Sequence, residues 1–190
     1  RKRQRRVIVA ITGASGAIYG VRILEALRTM NVESHLIMSR ASHITVKQET
    51  DRQLDEVEAL AAHVHAPTDL AAPIASGSFR THGMVIAPCS IKTLSSVANS
   101  HSSNLLTRAA DVTLKEGRPL ILAVREAPFH LGHLRLMVRA AELGAVIFPP
   151  IPSFYAHPES VDDLVDQTVG RILARLGLDN ALYAVWRGLD

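Results

Sequence analysis

The chain has 190 residues, 47% hydrophobic and 21% charged, with one cysteine (Cys89) and a formal net charge of +3. This length buries a core without staples, a lone cysteine excludes a disulfide framework or multi-cysteine zinc site, and no apolar run approaches the roughly 20 residues of a membrane span. Five of the basic residues are Arg1, Lys2, Arg3, Arg5 and Arg6, and without them the remainder carries −2, so the basic end predicts a solvated tail and no nucleic-acid face.

In chain order, the apolar run Val7–Thr12 predicts a strand and Ala17–Met30 a helix. A strand at Ser34–Met38 is followed by helices at Ala41–Thr50 and Leu54–His63. Met84–Pro88 predicts a strand, Thr93–Ala98 and Leu105–Glu116 helices, and Leu120–Val124 a strand. Leu131–Leu143 reads as a helix and Ala145–Phe148 as a strand. A last helix runs from Val161 to Leu176, started by Ser160 and stopped near Gly177. The strand runs are nearly continuously apolar, as strands buried on both faces should be. Their alternation with helices predicts one α/β domain, a Rossmann-like (flavodoxin-like) doubly wound parallel sheet flanked by helices. The boundaries are a basic tail over 1–6, the domain over 7–178 and a C-terminal segment over 179–190. Two long loops, Ala66–His82 and Pro149–Pro158, break the rhythm and belong to the functional side of such a sheet.

Several motifs carry candidate chemistry. Thr12-Gly13-Ala14-Ser15-Gly16 joins the first strand to its helix, where backbone N–H groups approach an anion or a flat cofactor. It matches neither the Walker A nor the dinucleotide fingerprint, and it lacks the last glycine of a nucleophile elbow. Asp162-Asp163-Leu164-Val165-Asp166 resembles a magnesium–diphosphate motif, but Ser160 three residues before Asp163 makes it a capping box. His130/His133 and His63/His65 have metal-pair spacing without a nearby carboxylate, and read as surface or helix-start histidines. Cys89 reads as a small buried hydrophobe. Arg108 and Lys115 lie seven apart on one helical face, and with Arg125, Tyr155 and Arg171 they suit a phosphate clamp if they converge.

Read in order, the turn Thr12–Gly20, Met38-Ser39-Arg40, Glu49-Thr50-Asp51, Ala75–Phe79 and Pro88–Leu94 resemble one family. Arg108–Asp111, Leu114-Lys115-Glu116, Arg125–Pro128, His130–Met137 and Phe154-Tyr155 continue the resemblance, which covers about residues 7 to 187. The family is the UbiX-type flavin prenyltransferases, whose eukaryotic members are the Pad-type proteins. The resemblance implies a Rossmann-like homo-oligomer, typically a dodecamer, with FMN at subunit interfaces. Its members join a dimethylallyl group from dimethylallyl monophosphate to reduced FMN at N5 and C6, giving prenylated FMN for a UbiD-type decarboxylase.

Carried over by position, the resemblance assigns Gly13, Ala14, Ser15, Ser39, Ser90, Ile91, Lys92, Thr93 and Arg125 to the flavin. Lys115, Tyr155 and Arg171 grip the donor phosphate, with Arg108 and Glu126 beside them and Trp186 closing the site. Ser76–Ser78 falls near flavin and donor. Ser15 and Glu49 handle protons near N5, and Lys115 and Glu126 complete the catalytic set. No metal, nucleic acid or membrane is implied. The location expected is cytoplasmic, or mitochondrial for a trimmed eukaryotic member, since the chain lacks an initiator Met. Two other readings share the flavin turns: a flavin-dependent cysteine decarboxylase and a non-enzymatic flavin carrier for a decarboxylase.

Overall fold

In the computed structural model, which describes residues 4–188, alternate side chains of the first strand, β1 (Arg6–Ile11), enter two different cores. Val7, Val9 and Ile11 pack into one, Ile8 and Ala10 into the other. Both faces are covered, so the run carries no polar alternation. Arg1, Lys2 and Arg3 of the expected tail lie outside the described residues. Arg6 opens β1, with its Nε 3.1 Å from Glu33 Oε1.

The remaining strands are β2 (Glu33–Met38), β3 (His63–His65), β4 (Gly83–Cys89), β5 (Leu120–Val124) and β6 (Val146–Ile147). All pairings are parallel, in the order β3-β2-β1-β4-β5-β6, the doubly wound order of a Rossmann sheet. Helices α1 (Ala17–Thr29), α2 (Ser42–Glu49), α3 (Leu54–Glu58) and α7 (Val161–Arg175) contribute to the core on one face. Helices α4 (Ile91–Ala98), α5 (Leu105–Lys115) and α6 (Leu131–Glu142) pack on the other. The chain leaves β1 toward the first face and β4 toward the second. Their C-terminal ends therefore part and open a crevice, the place where ligands bind in such sheets.

Most boundaries fall within one or two residues of expectation; one helix is shorter and one strand is additional. The helix expected over Leu54–His63 stops at Glu58, and His63–His65 forms the edge strand β3. Register pairs His35 with His63 and Ile37 with His65. Val57 is the one buried residue of α3, so little burial rewards continuing the helix, and the open edge of β2 takes the chain instead. Within Ala66–His82 a 3₁₀ turn, Pro73–Ala75, buries Ile74.

Helix starts behave as their sequences require. Ser160 Oγ accepts from the Asp163 N–H at 3.1 Å, while Asp163 Oδ2 accepts from the Ser160 N–H at 3.0 Å. Asp166 is engaged by Arg22 at 2.6 Å. The aspartate run thus serves α7 and its contact with α1. His130 caps α6 and accepts from the His133 N–H, a helix-start histidine as expected. No helix among the described residues is long and apolar enough to cross a membrane.

Candidate active site

A hydroxyl ties the two sides of the crevice together at its base. Thr12, buried at the end of β1, donates from Oγ1 to the Pro88 carbonyl at 2.6 Å and accepts from the Ser90 N–H at 2.9 Å. These bonds hold the β1 and β4 exits side by side. The β1–α1 turn then needs two glycines for different reasons. Gly16 sits at φ +105°, a left-handed conformation costly for other residues, and a Cβ on Gly13 would lie 2.4 Å from the Ala41 Cβ. That second contact lets the turns after β1 and β2 approach each other.

Between these turns lies a cleft of about 1240 Å³, larger than the roughly 300–1,000 Å³ of a typical small-molecule pocket. Its walls include Gly13, Ala14 and Ser15 after β1, Ser39 after β2, Ser90 to Thr93 after β4, and Arg125 and Glu126 after β5. All nine residues expected to bind flavin line this one cleft. Met38, Ile44, Ile91 and Leu106 give it apolar surface. Ser90 caps α4, its Oγ accepting from the Thr93 N–H at 3.2 Å, so a helix N-terminus opens onto the cavity. Apolar walls, hydroxyls, a helix start and a guanidinium fit a planar heterocycle with a phosphate tail.

Glu49, the last residue of α2, reaches back to the start of α1. Its Oε2 accepts from the Gly16 N–H at 2.7 Å and the Ala17 N–H at 3.2 Å. Burial pushes this carboxyl up, but the Gly16 amide, the Ser15 hydroxyl, the Ala17 amide and the Arg125 charge together outweigh it and hold it below its ordinary value. Glu49 is therefore an ionised acceptor at neutral pH, adjoining Ser15 at the cleft wall.

The expected donor-binding residues do not gather around the cleft within one chain. Lys115 ends α5, at the sheet edge where strands begin, and its Nζ meets Glu116 Oε1 at 2.6 Å. Arg108 donates to the Ala75 carbonyl at 3.2 Å and to Asp111 at 3.3 Å. Both belong to the layer opposite α7, which carries Arg171. The Arg171 guanidinium lies 6.0 Å from the Tyr183 ring centre. Tyr155 donates to the Ala184 carbonyl at 3.0 Å, accepts from Gln167 Nε2 at 2.9 Å and meets Trp186 edge-on at 5.8 Å. Ser76 and Ser78 bond each other at 2.9 Å.

Two polar residues here had no visible sequence motif. Gln167 is buried at 5% exposure, fixing the Tyr155 hydroxyl and accepting from the Ala184 N–H at 2.9 Å. Its only sequence signal is an amide on the apolar stripe of α7. Asn104 caps α5 and lines the cleft. Cys89 is fully buried, which pushes its thiol up to about 12 and leaves it inert as a nucleophile.

Comparison with known proteins supplies the context. A family model described as Flavoprotein matches residues 1–173. The flavin prenyltransferase UbiX of Escherichia coli (strain K12) is 58% identical over 187 residues, covering 97% of this chain and 99% of that protein. The crystal structure of AnUbiX (PadA1) in complex with FMN and dimethylallyl pyrophosphate superposes with a TM-score of 0.97 at 48% identity, over 99% of this chain and 100% of that one. A dodecameric FMN-dependent UbiX-like decarboxylase from Escherichia coli O157:H7 superposes with a TM-score of 0.93 at 47% identity, over 96% of this chain and 100% of that one.

Proposed function

The chain belongs to the Flavoprotein family and, within it, to the UbiX flavin prenyltransferases, and from that premise we propose that its cleft holds reduced FMN against a dimethylallyl phosphate and yields prenylated FMN. The observation that carries the assignment of the site is the meeting of nine flavin-assigned residues from four separate loops in one cleft. The protein is a prenyltransferase, and FMN is both the bound flavin and the acceptor.

Reduced flavin, when bound, supplies the nucleophilic N5, so the chain needs no covalent nucleophile of its own. The donor's allylic C–O bond breaks as a carbon–nitrogen bond forms at N5, and a carbon–carbon bond at C6 closes the new ring. N5 and C6 each shed one proton, and the donor's double bond takes one up as the ring closes, so a single proton leaves overall with the phosphate. Glu49, ionised and adjoining Ser15, is placed to take protons, with the Ser15 hydroxyl as relay. Gly13, Ala14, Ser39 and Ser90 to Thr93 hold and orient the flavin, and Arg125 covers it. Lys115, Tyr155 and Arg171 form the grip on the departing phosphate, where fixed cations stabilise the anion, with Arg108 and the catalytic Glu126 beside them. Trp186 and the segment after α7 exclude water that would trap the allylic cation.

A homo-oligomer completes this site. Lys115 and Arg171 lie on opposite layers of one chain and neither lines the cleft, which supports a common grip built with groups from neighbouring copies. Helix α6 supports the same conclusion: Leu131, Leu134 and Val138 share one face and are 59%, 45% and 59% exposed. Such a face asks for a partner surface, and the related enzyme from Escherichia coli O157:H7 is a dodecamer. Delivery of the product to a UbiD-type decarboxylase and a cytoplasmic location rest on the family resemblance.

Anaerobic incubation with reduced FMN and dimethylallyl monophosphate, or the diphosphate in a parallel arm, tests the reading. Mass spectrometry should find flavin heavier by one C5 unit; unmodified FMN in both arms overturns it. The cysteine-decarboxylase and carrier readings each require that negative outcome.

A further inference from the structure

At the sheet edge where the strands begin, away from the cleft, three histidines and a glutamate meet. Glu33 and His35 open β2, and His63 and His65 bound the edge strand β3. Residues two apart leave a strand on one face, and the parallel register puts His35 beside His63. The His35 ring stacks on His63 at 4.7 Å and on His65 at 5.3 Å. Glu33 Oε1 lies 3.0 Å from His35 Nε2 and 3.5 Å from His63 Nε2.

We propose that Glu33, His35 and His63 form a divalent transition-metal site of the zinc class, with His65 as outer partner and water completing the coordination, which clips β3 to the sheet.

The spacing suits such an ion. At metal–ligand distances of 2.0–2.2 Å, tetrahedral neighbours sit about 3.3 Å apart. The three ligand atoms already lie within 4.8 Å of one another. His63 has to swing inward to close the set, and its side chain is 54% exposed. Two imidazoles and one carboxylate select zinc, cobalt, nickel or copper over magnesium and calcium. His35 is held in place: 4% exposed, it meets the Phe79 ring edge-on at 5.2 Å and bonds His65 Nε2 through its Nδ1 at 3.0 Å. A partner on the second ring nitrogen is what orients a metal-bound histidine.

One group opposes the ion. The Arg6 Nε donates to the same Glu33 oxygen at 3.1 Å. Rotation of the carboxylate leaves Oε2 to Arg6, whose guanidinium also lies 4.8 Å over the Phe79 ring. The metal then takes the place of the proton between His35 Nε2 and Glu33 Oε1, and His35 adopts the tautomer whose Nδ1–H faces His65 Nε2. A clip here has a mechanical purpose, because β3 pairs with β2 through three residues and, among the described residues, no strand pairs on its far side.

The full-length protein, stripped with a chelator, is titrated with Co²⁺ alone and then Zn²⁺. One Co²⁺ per chain should bind with the intense visible bands of a tetrahedral site, and Zn²⁺ should displace it. His63→Ala and Glu33→Gln should each weaken binding more than tenfold, and His65→Ala by about 10–100-fold with the bands retained. His130→Ala should leave the affinity unchanged. Circular dichroism confirms that each variant folds, and Glu33→Gln keeps a hydrogen-bond acceptor for Arg6. Absence of saturable Co²⁺ binding, or wild-type affinity in either ligand variant, overturns the site. Either result leaves the flavin chemistry of the cleft untouched.

Discussion

The Glu49 carboxylate and the Gly16 backbone amide meet at 2.7 Å although 33 residues separate them in the chain. One contact caps α1, fixes the turn that lines the cleft and keeps a carboxylate beside Ser15. Replacing Glu49 by Gln keeps an acceptor for the amide but removes the charge and the proton affinity. Glu49→Gln should retain FMN and lose alkylation rate by 10²-fold or more, within the roughly 10²–10⁴ contribution of a general base. Stopped-flow mixing under anaerobic conditions reads this, and wild-type rates would remove Glu49 from the chemistry.

The same contact sets a pH dependence. The Glu49 carboxyl is depressed in the folded protein, so its stabilising contribution is present above its unfolded value and is lost as pH falls through the lower folded value. Because the group is solvent-facing, the effect is a few tenths of a kcal/mol at neutral pH. Denaturant melts of wild type and Glu49→Gln should differ by that amount at pH 7 and converge at the acid end. A gap that widens with acid contradicts the assignment.

Gly13 and Ala41 form a second coupled pair. Gly13→Ala brings its Cβ to 2.4 Å from the Ala41 Cβ, a clash that costs about 1–3 kcal/mol and spreads the cleft. Ala41→Gly removes the obstructing atom, so the double variant should recover most of the stability and FMN affinity. Additive losses in that cycle would place the cost elsewhere.

Gln167 directs the Tyr155 hydroxyl from beneath. Gln167→Leu strips that hydroxyl of its buried donor and frees Ala184, so the phosphate donor should bind more weakly, with KM raised several-fold and kcat less affected. Equal falls in kcat and kcat/KM would assign Gln167 a role in the chemical step instead.

Helix α6 predicts an assembly effect. Leu134→Glu with Val138→Glu places charge on its exposed apolar face, and light scattering should record smaller particles with an unchanged circular dichroism spectrum. Activity should fall together with size. Full activity in an isolated chain would mean that Lys115 and Arg171 need no neighbouring copy.

Cys89 gives a negative control for every labelling experiment. Burial raises its thiol to about 12, so thiol reagents should modify it only at the rate of unfolding. Rapid labelling of the native protein would contradict the burial.

Much of this was legible in the chain itself. Continuous apolar runs such as Leu120–Val124 declared strands covered on both faces, and Ser160 with Asp163 declared a helix start, because local patterning and capping act within a few residues. The turn Thr12–Gly16 announced its place after the first strand for the same reason. The flavin-assigned loops were legible as separate segments, and the doubly wound topology implied a shared edge of the sheet.

Tertiary structure alone decided the rest. His63 reads as the end of a helix, and Val64 and His65 as no element, until the open edge of β2 recruits them, since strand pairing is a contact between distant segments. Glu33 and His35 are invisible as partners of His63 until parallel register puts them in one row, and Gln167 has no meaning until Tyr155 folds over it. The residues assigned to the donor show the limit most clearly: Lys115 ends α5 on one layer, Arg171 sits on α7 of the other, and neither lines the cleft, a placement that depends on how the helices pack over the sheet and not on local sequence.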